Sequence, residues 1–167
     1  LAFERANDLY RAAAEVLSPS AGDREADTLR CEAWLGLARN LRVQERGDEA
    51  LALLAEAQAL ADGQRDTDIL AAIHTLRGNL LFPSGDLDGC LAEHQRGHTY
   101  AIRSGAPALE ADALSGLGDA YYLRGRILTA SEYFDRCVLL CRQHRLEQAE
   151  ASNLPMRGLM RFYCNDF

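Results

Sequence analysis

LSGLGDAYYLRGRILTASEYFDRC, residues 114–137, decides the fold. Leu114, Leu117, Gly118 and Tyr121 recur three or four apart, as one face of a helix requires. Gly125 interrupts the run. Ala130, Phe134, Cys137, Val138 and Cys141 then resume helical spacing. Two helices joined by a turn are therefore expected. Working outward, the same columns return at a period of 40 residues. Ala38, Gly78, Gly118 and Gly158 are in register, with Trp34, His74, Leu114 and Leu154 four residues upstream. Leu41, Leu81 and Tyr121 lie three downstream, and Arg161 breaks that column. Small residues Ala50, Cys90 and Ala130 align, followed by Leu54, His94 and Phe134, then Ala57, Gly97 and Cys137. Gly85 matches Gly125, and Gly47 marks the same turn with a slight shift.

The physical reading is a helical hairpin repeated about three and a half times. A small residue such as Gly118 admits the partner helix, and Phe134 fills the space between neighbouring hairpins. The spacing predicts helices near 2–17, 23–44, 48–61, 67–82, 87–103, 107–123, 128–144 and 147–164. Asp66 or Thr67 can cap the helix that follows, and Ser84-Gly85-Asp86 reads as a tight turn and an N-cap. Asp62-Gly63 reads as a helix stop, Pro107 suits a first turn, and Pro155 predicts a kink or a later start in the last helix. Ser18-Pro19-Ser20-Ala21-Gly22 reads as an interhelix loop. One domain, 1–167, is expected. It comprises a leading helix and loop (1–22), repeats at 23–62, 63–105 and 106–145, and the first helix of a fourth repeat at 146–167.

Composition agrees. Among 167 residues Leu and Ala each occur 27 times, against 7 for Val and Ile together, which disfavours a sheet. Charged residues are 26% and hydrophobic residues 48%, against wholesale disorder and against a membrane bundle. The net charge of −7 disfavours nucleic acid as the main partner. All 18 bases are Arg, so a phosphate-loop lysine, a Schiff base and a lysine general base are excluded. Five Cys is an odd number for a disulfide framework, so reduced, mostly buried thiols and a cytoplasmic setting are expected. The chain starts at Leu1 with no signal-peptide pattern, as expected of a piece of a larger protein.

Leu114-x-x-Leu117-Gly118-x-x-Tyr121, then Gly125, Ala130, Phe134 and Cys137, resembles the tetratricopeptide repeat. Residues 31–61 match that pattern less closely. Residues 71–104 match weakly, because His74, Arg77 and His94 replace bulky apolar residues. The usual closing Pro is missing and the period exceeds 34. The resemblance implies an all-α fold, a right-handed superhelix of antiparallel helical hairpins with about eight helices. A narrower resemblance rests on Leu76-Arg77-Gly78-Asn79, on Gly85-Asp86-Leu87-Asp88-Gly89-Cys90-Leu91 with Glu93-His94, and on Gly118-Asp119-Ala120-Tyr121-Tyr122. This is similar to the C-terminal repeat region of bacterial class III adenylate/guanylate cyclases that carry an AAA-type ATPase domain. It implies a regulatory arm whose catalytic residues lie elsewhere.

No catalytic motif appears. Gly116-x-Gly118 lies within a helix with no strand before it, so it is no dinucleotide loop. Ser115 and Ser131 have no His-acid arrangement nearby. Carboxylate pairs such as Glu45/Glu49 read as solvated helix faces, and Arg42 and Glu45 can pair three apart. Cys90, His94 and His98 share one helix face, where two His four apart can bind Zn²⁺. Cys90 and His94 also fall in the packing columns, which favours a core role. A His74–His94 contact would suit a buried polar pair. Cys137, Cys141 and His144 form a second stripe that reads as buried thiols on an apolar face. No metal and no cofactor are expected.

The candidate functional surface is the concave one, lined by the first helix of each repeat. Its positions read Glu32, Leu35, Arg39 and Arg42, then Ala72, Thr75, Asn79 and Phe82. They continue with Asp112, Ser115, Asp119 and Tyr122, then Ser152, Pro155, Leu159 and Phe162. A partner-binding groove of Arg39, Arg42, Asn79, Phe82, Asp119 and Tyr122 is expected. Polar groups around aromatic anchors suit a protein or peptide, or another domain of a parent chain. The sequence therefore reads as a non-catalytic interaction or regulatory module. The alternative is a helical sensor for a small ligand or metal near His74, Cys90 and His94. Leu154, Leu159, Met160, Phe162 and Tyr163 further suggest a homodimer through the C-terminal helix.

Overall fold

The computed structural model describes residues 2–17 and 23–165. The Ser18–Gly22 loop expectation lies outside them. Among the described residues the chain is all-α, with eight helices and no strand. They are α1 Ala2–Val16, α2 Arg24–Val43, α3 Gly47–Gln64, α4 Thr67–Leu81, α5 Leu87–Ser104, α6 Pro107–Leu123, α7 Ile127–His144 and α8 Glu147–Tyr163. Each packs on its neighbours in sequence. The first helices of successive hairpins also touch, α2 on α4, α4 on α6 and α6 on α8. This is a helical-repeat solenoid, in which each unit is stabilised by the next.

The period is written in the backbone. Left-handed residues occur at Glu45, Arg65, Gly85, Gly105, Gly125, Arg145 and Asn165, one every 20 residues. After α2, α3, α6 and α7 the turn lets the next N–H donate back to a last-turn carbonyl: Arg46 to Leu41, Asp66 to Ala61, Arg126 to Tyr121 and Leu146 to Cys141. Only three of the left-handed residues are Gly, so the tertiary register imposes the conformation on Glu45, Arg65, Arg145 and Asn165. N-caps supply the opposite signal. Asp23, Asp66 and Asp86 accept hydrogen bonds from Ala26, Ile69 and Gly89 N–H. Pro107 occupies the first turn of α6, where its missing N–H costs nothing.

Three local expectations are corrected. Helix α3 does not stop at Asp62-Gly63 but runs to Gln64, because the left-handed closure belongs to Arg65. The added turn lets Gln64 Nε2 donate to Asp27 Oδ2 at 2.8 Å. Helix α8 starts at Glu147 and continues through Pro155 to Tyr163. The Arg42–Glu45 ion pair does not form. Glu45 has left the helix at φ 60°, and Arg46 pairs with Glu49 at 2.7 Å instead.

Packing follows the repeat columns. Leu54, His94 and Phe134 are each completely buried. Phe134 meets Gly118, where an added Cβ would fall 2.8 Å from the ring. His94 lies between Gly78 of α4 and Gly116 of α6, and a Cβ at either would overlap its ring. Gly118→Leu is therefore expected to destabilise the chain by about 1–3 kcal/mol or more, as forced overpacking does. Thermal unfolding by circular dichroism checks it, and an unchanged midpoint would refute this contact.

Candidate functional site

The first helices of the three hairpins and the start of α8 enclose a concave cavity of about 540 Å³. Helix α2 contributes Arg39, α4 contributes Thr75 and Asn79, α6 contributes Asp112, Ser115 and Asp119, and α8 contributes Ser152. Glu147 closes the rim from the α7–α8 corner. The spacing explains why these residues converge. Positions 72, 75 and 79, and 112, 115 and 119, each form one helical stripe on the first helix of their hairpin, and Thr75, at the border of its stripe, also packs on Gly97 of α5.

The electrostatics are lopsided. Three carboxylates, Asp112, Asp119 and Glu147, share the cavity with one base, Arg39. Asp119 has no ion-pair partner among the described residues. Enclosure by the concave wall pushes its carboxyl up to about 6. Asp112 also shifts upward from desolvation, opposed by the Arg39 charge. Unpaired acids in such a wall favour a cationic visitor.

Of the six expected groove residues, the cavity takes Arg39, Asn79 and Asp119. Arg42, Phe82 and Tyr122 do not line it. Arg42 is exposed one turn beyond. Phe82 caps the end of α4 and is half-buried. Tyr122 packs toward Tyr163, with ring centroids 6.4 Å apart, and joins the cluster around Phe134 and Met160. The stripe reaches these positions only at the helix ends, where the wall curves away from the cavity.

The polar residues on α4 and α5 do not form a ligand set. His74 does not pair with His94. Its Nδ1 lies 2.8 Å from Glu93 Oε2, and its ring stacks on Tyr100 at 5.4 Å and 1°. Burial alone would raise the Glu93 carboxyl. The His74 hydrogen bond and the charges of Arg77 and Arg96 outweigh it and hold Glu93 below the usual range. His94 has no protein hydrogen-bond partner at either ring nitrogen, and desolvation lowers it to about 4. His98 faces Glu110 at 4.0 Å. Among the described residues no group of three or more His, Cys, Asp or Glu could hold a metal ion. The five thiols are free. Burial pushes Cys31 up to about 11 and Cys137 up to about 12, so both are protonated and unreactive. His144 is exposed while Cys137 and Cys141 are buried, so that stripe is no site.

A second cavity, about 460 Å³, opens between α1, α2 and α3. Trp34 and Leu37 form its floor, and Arg30 stacks over the Trp34 ring at 4.4 Å. The repeat pattern placed Trp34 in a packing column and gave no sign of this opening. The Arg30-x3-Trp34 spacing was the available signal, since residues four apart share a helix face.

The fold and the cavity define a helical-repeat protein with a concave polar face. No known family model matches this chain, and no curated protein matches it. Among solved structures it is similar to BtubC (BKLC) from P. vanneervenii, with a TM-score of 0.82 and 20% identity. The match covers 99% of this chain and 68% of that one, and it concerns the fold alone.

Proposed function

We propose that this chain is a protein-interaction or regulatory module that binds a segment of a protein partner across the concave cavity, without catalysis of its own. The observation that carries this reading is the convergence of Arg39, Asn79, Asp112 and Asp119 from three hairpins on one cavity. The unpaired carboxylates select a partner with Lys or Arg side chains, and Arg39 orients an acidic group at the other end. The tetratricopeptide-like columns support the same reading. The stretch around Leu76–His94 supports a place in a larger bacterial signalling protein that resembles a nucleotide cyclase, acting in the cytoplasm. No helix among the described residues is long and apolar enough to cross a membrane.

Selection of displayed 12-residue peptides on the immobilised chain tests this. Enriched peptides should carry Lys or Arg and should bind the Arg39→Ala/Asp119→Asn variant at least tenfold more weakly, with the helical signal unchanged. Binding should also fall as pH drops through about 6, because protonation removes the Asp119 charge that attracts the cation. Peptides without a basic residue, or binding indifferent to both substitutions, would defeat the reading.

A further inference from the structure

The cavity between α1, α2 and α3 lies where one column of the repeat changes size. Leu54, His94 and Phe134 are the bulky residues of α3, α5 and α7, and the same column in α1 holds Ala14. In the third hairpin His94 covers Gly116. The equivalent Gly36 is covered by Tyr10, one turn before Ala14. Ala14 therefore lines about 460 Å³ of space above Trp34, Leu37 and Leu41. The later hairpins close the corresponding gap with their own side chains. Position 53 is Leu, whereas its equivalents reach across to the first helix: Glu93 bonds His74 at 2.8 Å, and Tyr133 stacks on Tyr121 at 5.3 Å. The opening is also independent of what precedes α1. Among the described residues α2 does not touch α5 and α4 does not touch α7, so a first helix packed before α1 would not reach the α3 wall.

Arg30 gives this cavity its chemistry. The next hairpin has Leu70 in its place, 3% exposed, so packing does not call for a base there. The guanidinium lies over the Trp34 ring, and its Nε is shielded from water with no hydrogen-bond partner. Two acids stand level with it. Asn40 bonds Asn7 and Tyr10 covers Gly36, an antiparallel run that brings Glu15 beside Arg30. Cys31 Sγ donates to the Ala57 carbonyl at 3.6 Å, which sets Glu56 at the same height on α3. All three line the cavity, and among the described residues none of them is in an ion pair. Arg11 and Glu49 are already engaged, with Asp8 and Arg46.

We propose that this cavity binds a small aromatic amino acid, its ring on the apolar floor, its carboxylate on Arg30 and its ammonium between Glu15 and Glu56. An apolar floor with a few polar groups at one end is the usual make-up of a small-molecule site, and the volume is in the usual range. A carboxylate seated side-on on a guanidinium uses Nε and Nη together, which supplies the acceptor that Nε lacks. Two acids at the same rim favour an adjoining ammonium over a second carboxylate. The cavity shares no residue with the concave one, so this site is separate from the surface proposed above.

Trp34 is the single tryptophan of the chain, so its emission reads the cavity without a label. Phenylalanine added to the full chain should change that emission saturably. 3-Phenylpropanoate, which lacks the ammonium, and 2-phenylethylamine, which lacks the carboxylate, should each bind at least tenfold more weakly. Arg30→Gln should weaken phenylalanine binding at least tenfold, read by calorimetry because the substitution itself alters the surroundings of the indole. Ala14→Leu restores the bulky residue of the column. It should abolish binding and leave the melting midpoint unchanged or higher, so the loss is a filled cavity rather than an unfolded chain. The Arg39→Ala/Asp119→Asn chain should bind phenylalanine as the parent does. Absence of saturable binding, equal binding of either analogue, or binding indifferent to Arg30→Gln would overturn the proposal.

Discussion

Phe134→Ala is expected to cost about 3–5 kcal/mol, the range for truncating a large buried aromatic side chain. The ring is completely buried, meets Gly118 of α6, and packs in one cluster with Ala130 and Met160. Helices α6, α7 and α8 therefore all lose contacts at once. At about 2–4 °C per kcal/mol for a chain of this size, the melting midpoint should fall by about 10 °C. A solenoid transmits stability between neighbours, so the loss should be uneven. Hydrogen exchange should quicken first in α6–α8 and last in α2 and α3. An unchanged midpoint, or a uniform loss of protection, would refute the wedge.

The second large effect is acid lability through His94. Burial between Gly78 and Gly116 lowers its folded pKa to about 4, with the Glu93 charge opposing weakly. In the unfolded chain the value is about 6.5. The unfolded state therefore binds the extra proton between these values. Stability is fully present above pH 6.5, declines as pH falls, and has lost about 3 kcal/mol below pH 4. Asp119 acts in the opposite direction. Its folded pKa is raised to about 6, so acid relieves a buried charge over part of the same window. The measurement must be a difference. His94→Phe replaces the ring with one that cannot titrate and leaves Asp119 in place. The variant's stability advantage should grow by about 2–3 kcal/mol between pH 7 and pH 4.5 in parallel urea titrations. A gap that is the same at both pH values would show that His94 is not held neutral in the core.

The wedge column shows how far the sequence could be read. Phe134 announced its role, because a bulky residue follows a small one by four and Gly118 waits sixteen residues upstream. His94 occupies the same position with a polar ring. A titratable side chain in a packing column has two readings, core or ligand, and periodicity cannot separate them. The structure separates them through neighbours on other helices. Glu93 and Tyr100 engage His74, and the two glycines enclose His94.

The concave face divides in the same way. The sequence placed Arg39, Asn79 and Asp119 on the first-helix stripes, and with them Arg42, Phe82 and Tyr122. Only the first three reach the cavity. Helical spacing fixes which residues share a face, since it depends on 3.6 residues per turn and nothing more. It carries no information on how far neighbouring helices splay along their length. Tyr122 is half-buried and turns toward Tyr163 and Met160, residues on a helix that its own stripe does not predict.

From the residues alone came the eight helices, their 40-residue period, and the small and bulky columns. All of these are local or periodic properties, set by propensity, capping and burial within a hairpin and its neighbour. The tertiary structure alone decided three further things. It chose the left-handed closures at Glu45, Arg65, Arg145 and Asn165, where a residue other than glycine takes the positive φ. It raised Asp119 by enclosing it without a partner. It set His74 against Glu93 and Tyr100 and not against His94. Each depends on which helices lie alongside, a relation that side-chain spacing within one helix does not encode.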